Sequence, residues 1–359
     1  MSEFSQIFLD LPWEAFVAHW CLGTPPASEP EEVARAFDAL QRLWPDRLAA
    51  LRTKGDRGVP VVAPAIHDGS VLAACESLRG FPEVLARIVL PERSAFMEAT
   101  VAAALVRLGY QPLFGPELAG KRPDLAIEVF DQTIYLEIVS VQRSELTQEA
   151  ARTAQAIANR LAGQCHGESV ELYLGPHWTD TDSERVIAAV ANASARAEPV
   201  DLNGDAHVIK ELALQENDAP ALTLRIPKPD DVRAASACVT DRTNGQWSTA
   251  IVRRAVSDER AATILSKELH HLNKAKANIV IVDASGVPGG IASWEPLLRR
   301  TLQPTRNTRV GAIVIIDQAL AGQPLQTKLE WSVLPNPYAA CPVPPGLLAS
   351  LQGLHEPHS

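Results

Sequence analysis

Apolar residues recur at helical spacing through the first third of the chain and gather into short, strand-length runs after it. Between Glu31 and Arg52, Val33, Phe37, Leu40, Leu43 and Trp44 fall on one helical face. Pro45 is expected to kink or divide that helix. The preceding GTPPASEPEE stretch is a breaker, with Ser28 the expected N-cap. Asp68 to Leu78 predicts another helix. SAFMEATVAAALVRLG, beginning at Ser94, is a strong helix former stopped by Gly109. Three strand-like runs follow: Tyr110 to Phe114, Leu125 to Phe130 and Thr133 to Val141. Asp131-Gln132 separates the last two at hairpin spacing.

The later pattern alternates. Helices are expected at Glu145 to Ala162, Thr181 to Ala197, Asp258 to Lys276 and Trp294 to Leu302. Strands are expected at Ser169 to Leu174, Ala221 to Ile226 and, as an edge strand, Leu329 to Leu334. Ile279 to Val282 and Val310 to Ile316 are continuous apolar runs, as in strands buried on both faces. Helices interleaved with buried strands predict an α/β fold. The expected organisation is a helical N-terminal region over 1–85, an α/β domain over 86–340 with C-terminal elaborations, and a proline-rich tail over 341–359. There is no internal repeat and no low-complexity linker.

Composition narrows the function classes. Of 359 residues, 46% are apolar, enough for a sizeable core. The net charge of −10 argues against a constitutive, sequence-blind nucleic-acid coat, which needs a basic surface to displace counterions. It leaves room for a local basic groove. Cys21, Cys75, Cys165, Cys238 and Cys341 are far apart, odd in number and without a CxxC. That argues against structural zinc and a disulfide framework, and for reduced thiols in the cytoplasm. The opening MSEFSQIFLDLPWEAF reads as neither a signal peptide nor an anchor. No run approaches the roughly 20 apolar residues of a membrane-spanning helix.

The acids carry the candidate chemistry. Hydrolysing a phosphodiester commonly uses a metal held by hard oxygen ligands, and converging carboxylates supply them. Glu98 lies in the helix from Ser94, Asp124 follows Pro123 at a strand start, and Glu137 lies within LEIVSV. A carboxylate in so apolar a strand is costly without a partner or a metal. The helix containing Glu98 followed by GKRPDLAIEVFDQTIYLEIVSVQ resembles the PD-(D/E)XK, or restriction-endonuclease-like, nuclease superfamily. Pro123-Asp124 matches the PD pair, Glu137 opens the (D/E)XK triplet, and Glu98 matches the acid often supplied by the preceding helix. The resemblance covers Ser94 to Gly175 and implies a mixed four-stranded sheet flanked by helices, with Ser169 to Leu174 as a core strand. It implies Mg²⁺ or Mn²⁺ held by Asp124, Glu137 and Glu98, with Glu98 as third ligand or water-positioning base. Val139 stands where the family has lysine. Gln142 is the nearest replacement in sequence, although it faces away from Glu137 unless a bulge intervenes. Arg143, Lys121 and Lys267 are the other candidates.

Taken singly, each acid has an ordinary structural explanation: a solvated helix acid for Glu98, a turn cap for Asp124, a strand ion pair for Glu137. Lys267, His270, His271, Lys274 and Lys276 with Arg253, Arg254 and Arg260 form the most basic stretch, which reads as a solvated face or a phosphate contact. Asp283 and Asp317 end buried strands, where α/β sheets often place sites and where turn acids are also common. GVPGG at Gly286 to Gly290 lacks the ending of a phosphate loop, and there is no G-x-S-x-G elbow. His177-Trp178 is expected in a loop and carries no reading. Two functions are expected: a metal-dependent nuclease-like hydrolase acting on DNA or RNA, or a nuclease-fold module that binds without cutting. Nucleic acid, another protein or a second copy of the chain are the partners these readings admit.

Overall fold

The computed structural model of the chain describes residues 13–20, 28–55, 61–90, 93–118, 122–140, 145–164, 168–174, 200–201, 206–212, 234–243, 246–255, 272–285, 290–321 and 326–354. These pack as two units: Met1–Val141 with Ala262–Ser285 and Trp294–Ser359, and Gln142–Ala261 with Gly286–Ser293. Helices on both sides of residue 85, and Leu347 and Leu351 of the C-terminal stretch, share one core with the first unit's sheet.

That unit begins with helices α1 (Trp13–Trp20), α2 (Pro30–Leu43) and α3 (Pro45–Gly55). Pro45 thus divides the expected long helix, opening the second at a position where its missing N–H costs nothing. The N-cap of α2 is Glu29 rather than Ser28, and its side chain makes no capping bond. Val33, Ala36, Phe37 and Leu40 bury one face of α2. It crosses α4 (Val62–Cys75) so closely that a Cβ on Gly69 would lie 1.9 Å from the Ala36 carbonyl oxygen. Next come α5 (Phe81–Val89) and α6 (Arg93–Arg107). Gly109 (φ 85°) closes α6 as a Schellman motif: its N–H donates to Val106 O at 2.9 Å, and the Tyr110 N–H to Leu105 O at 3.0 Å.

Strands β1 (Leu113–Phe114), β2 (Leu125–Val129) and β3 (Gln132–Ser140) form an antiparallel meander. Parallel strands β9 (Ala277–Asp283) and β10 (Ala312–Ala321) and antiparallel β11 (Gln326–Pro335) complete a six-stranded mixed sheet, ordered β1-β2-β3-β9-β10-β11. β9 is buried along its whole length, as its apolar run requires. Leu136, Ile138, Ile279, Ile281, Val314, Ile316, Trp331 and Val333 form the face that shares the helices' core. Glu137, Val139, Val280, Val282, Ile313 and Ile315 alternate onto the other face. Helix α8 (Gly290–Arg299) meets that face where Ser332 Oγ donates to Glu295 Oε2 at 2.9 Å. The C-terminal α9 (Pro345–Gly353) packs on β11.

The second unit holds α7 (Glu145–Gln164) and a five-stranded sheet ordered β5-β6-β4-β8-β7. Its strands are β4 (Glu168–Leu174), β5 (Val200–Asp201), β6 (Ala206–Leu212), β7 (Ala234–Thr243) and β8 (Gln246–Ala255). α7 packs on β7 and β8, burying Ala150, Ala154, Ile157, Ala158 and Leu161. Here the sequence expectation is corrected. The strand at 168–174 does not join the sheet of the acid-bearing hairpin. It pairs with β6 and β8, and the neighbour of β3 is β9, far downstream. An apolar strand pattern specifies which face is buried, not which strand lies alongside. Residues 272–276 are a turn rather than the end of a helix. The rest of that expected helix, with 181–197, 221–226 and His177-Trp178, lies outside the described residues. Among the described residues no helix is long and apolar enough to cross a membrane.

Candidate functional site

The β2–β3 ladder positions the acid pair. Leu125 is opposite Leu136, so one further step of the antiparallel register puts Asp124 opposite Glu137. Directly opposed residues keep Cβ atoms about 5 Å apart. Asp124 is fixed on both sides: its carbonyl accepts from Gly115 N–H at 2.9 Å, and its Oδ2 accepts from Ile138 N–H at 2.7 Å. The second bond satisfies a backbone donor of β3 just past the first residue of β2, where the ladder has run out. Asp124 therefore has a structural task, capping the end of the hairpin.

Glu137 is half-buried on the face of Val139. Val139 is itself buried. Glu98 has a different environment. Its side chain is 4% exposed and takes a bidentate ion pair from Arg87 of α5, one arm at 3.0 Å. Arg87 remains 40% exposed on its outer side. Among the described residues no three His, Cys, Asp or Glu side chains converge as a metal-holding group. The register of β2 and β3, carried one step further, sets Asp124 level with Glu137, and Glu98 takes a cation of its own. Arg87 left no trace in helical or strand periodicity, since an ion pair between two helices follows neither. Gln142, Arg143, Lys121, Lys267, His270 and His271 lie outside the described residues.

A second set of acids sits where the parallel strands end. Asp283 closes β9 fully buried, with its Oδ1 accepting from Ser285 N–H at 2.8 Å in an Asx turn. Ser285 Oγ in turn accepts from Gln318 N–H at 2.8 Å, tying the ends of β9 and β10 together. Asp317 pairs across β10–β11 with Glu330. Burial, then the negative charges of Glu330 and Asp283, push the Asp317 carboxyl up to about 6, against a smaller opposing effect of the Gln318 N–H. Ser140, beside Asp283 in the β3–β9 register, has a buried Oγ that makes no hydrogen bond. Glu137 stands level with Val280 and Ile313, two strands and four residues from Asp317, a separation on the order of 15 Å. The two acidic sets are therefore separate.

Compared with family models, with curated proteins and with solved structures, the chain matches none.

Proposed function

We propose that the first unit is a nuclease-like domain in which Asp124 and Glu137 hold a divalent metal ion for work on a phosphodiester. The observation that carries the reading is the β2–β3 register, whose next step beyond the Leu125–Leu136 pair sets Asp124 level with Glu137. The surrounding order supports it: a helix, an antiparallel hairpin and a parallel strand beside it in a mixed sheet. This is the arrangement implied by the restriction-endonuclease-like resemblance, with β9 in place of the strand at 168–174. The donor set fits the group. Two carboxylates suit Mg²⁺ or Mn²⁺, and Mg²⁺ sites commonly take one or two carboxylates and fill the rest with water and substrate phosphate. When bound, such an ion supplies charge neutralisation at the phosphate and a more acidic water. The chain's own part is positional. Gly115 and Ile138 fix Asp124, and the ladder fixes Glu137 beside it. Free thiols at buried Cys75 and partly buried Cys341 suit the cytoplasmic setting proposed with it.

The test is cleavage of labelled DNA and RNA with Mg²⁺ or Mn²⁺ by the wild type, Asp124→Asn and Glu137→Gln. Thermal unfolding checks that the variants fold, and calorimetric titration follows the metal. Cleavage lost in both folded variants, with metal affinity reduced, is expected. Cleavage surviving both would falsify the assignment. The burial of Val139 favours a second reading, a nuclease-fold module that binds but does not cut. Absence of both cleavage and metal uptake by the wild type would select it.

A further inference from the structure

We propose that the end of the six-stranded sheet where its parallel strands begin is a docking surface for single-stranded nucleic acid, remote from the Asp124–Glu137 pair and independent of it. Loops 273–276, 306–311 and 336–341 meet there, and two buried asparagines bind them into one piece. Asn278 Nδ2 donates to Asn273 O, Lys276 O and Arg309 O, each at 2.8 Å. Asn336 Nδ2 donates to Val310 O at 2.7 Å and Asn307 O at 3.1 Å. Gly311 N–H to Asn278 O at 2.8 Å and Ala340 N–H to Thr308 O at 2.7 Å close the remaining gaps. Asn307 holds a left-handed φ of 59° within this network.

This rigid end carries cations. Lys274, Lys276, Arg300 and Arg306 are exposed, and none pairs with a described acid. The stretches 272–282, 296–316 and 331–354 contain no Asp or Glu, in a chain whose net charge is −10. Among the described residues, the acids at the neighbouring hairpin tip are Glu128, which accepts from Thr133 Oγ1 at 2.6 Å, and the exposed Asp131. A concentration of unpaired cations on an otherwise acidic protein is the footprint of a polyanion.

Aromatic rings flank the cations. Phe130, 82% exposed, stands at the tip of the β2–β3 hairpin, and one step before the Ile134–Ala277 pair the β3–β9 register sets Thr133 of that hairpin level with Lys276. Tyr338, 44% exposed, stands beyond β11 on the other side. The three strand spacings from β3 to β11 put the two about 15 Å apart. Phe130 and Asp131 both have positive φ, 48° and 60°. A bulky residue there is strained where Asn-Gly would be relaxed. A Cβ added at Gly346 would meet the ring at 3.6 Å, and the ring is otherwise open to solvent. Rings interleaved with cations are what unstacked bases on a charged backbone require. A lipid surface would call for a contiguous apolar patch, and the rings here are separated by charge.

The experiment measures anisotropy of a fluorescein-labelled, mixed-sequence single-stranded oligonucleotide with the full chain in EDTA, over a salt series. The expected result is binding that weakens with salt. Lys274→Glu/Lys276→Glu/Arg306→Glu should weaken it about tenfold or more and flatten the log–log salt slope by about 2, near 0.7 for each phosphate deprived of its cation. Lys274→Gln/Lys276→Gln should give a smaller loss with an unchanged thermal transition. Phe130→Ala should lose affinity for the single strand and none for heparin. EDTA keeps any metal out of the assay, so failure of the metal reading leaves this result standing. No binding by the wild type overturns the proposal. So does binding untouched by both lysine variants, or equal uptake by phosphatidylserine vesicles or polyglutamate.

Discussion

Replacing Arg87 by alanine tests what Glu98 is for. The Glu98 carboxylate is 4% exposed and Arg87 is 40% exposed, so the two halves of the pair are not equivalent. Removing Arg87 leaves a buried charge without its bidentate cation, a change that costs about 3–5 kcal/mol. Protonation offers an escape, costing about 1.4 kcal/mol for each pH unit above a carboxyl's ordinary range. The Arg87→Ala penalty should therefore sit near 3–4 kcal/mol at pH 7 and shrink towards pH 5. Removing Glu98 deletes the buried charge and leaves a guanidinium that already reaches water. The lost charge-assisted bonds then cost about 1–2 kcal/mol. The double variant should be more stable than Arg87→Ala alone, a coupling that a double-mutant cycle reads directly. Urea unfolding at pH 5 and 7, followed by circular dichroism, measures all four corners. Equal losses from the two single variants, or an Arg87→Ala penalty independent of pH, would refute the reasoning. A Glu98→Ala variant of unchanged stability that loses metal-dependent cleavage would return Glu98 to the metal.

Gly69→Ala should destabilise the first unit by about 2–3 kcal/mol, because a methyl 1.9 Å from the Ala36 carbonyl oxygen must push two backbones apart; the gain of about 1 kcal/mol from helix propensity alone would raise the melting temperature instead. Asp317→Asn should stabilise the fold at pH 8 by about 1 kcal/mol, discounted for partial exposure, and do nothing at pH 4. The sign follows from its carboxyl lying at about 6: the native state keeps a proton that the unfolded chain has lost, so stability falls as pH rises from about 4 through about 6. His67 works in the opposite direction. Burial first, then Arg107 and Arg47, lower it to about 4, so its contribution is complete above the ordinary imidazole value of about 6.5 and disappears as pH falls through about 4. A nuclear magnetic resonance titration of its imidazole with a midpoint near 6.5 would contradict this.

Parts of this structure could be read from residue patterns alone. The apolar runs at Ile279 to Val282 and Val310 to Ile316 are the buried central strands, Gly109 stops its helix, and Pro45 splits the first long one. Local periodicity and backbone chemistry suffice for these. The partner of β3 could not be read, because strand pairing depends on a neighbour chosen across the fold. At the acids, the resemblance singled out Asp124, Glu137 and Glu98 but not their other duties. Asp124 caps a ladder through Ile138, and Glu98 anchors Arg87. Both duties depend on geometry between elements, which a one-dimensional pattern does not carry.

The second unit is threaded into the chain between β3 and β9, adjacent strands of the first sheet. Ile134 pairs with Ala277, so roughly 140 residues must be made before β3 finds its neighbour. At about 5–20 residues per second, the acid-bearing hairpin waits some 7–30 seconds during synthesis with one edge open. Through that interval the unsatisfied edge is a target for chaperones or for strands of other nascent copies. Yield in a living cell should therefore respond to translation speed across residues 142–261, a property set by the order of the chain rather than by the stability of the finished fold.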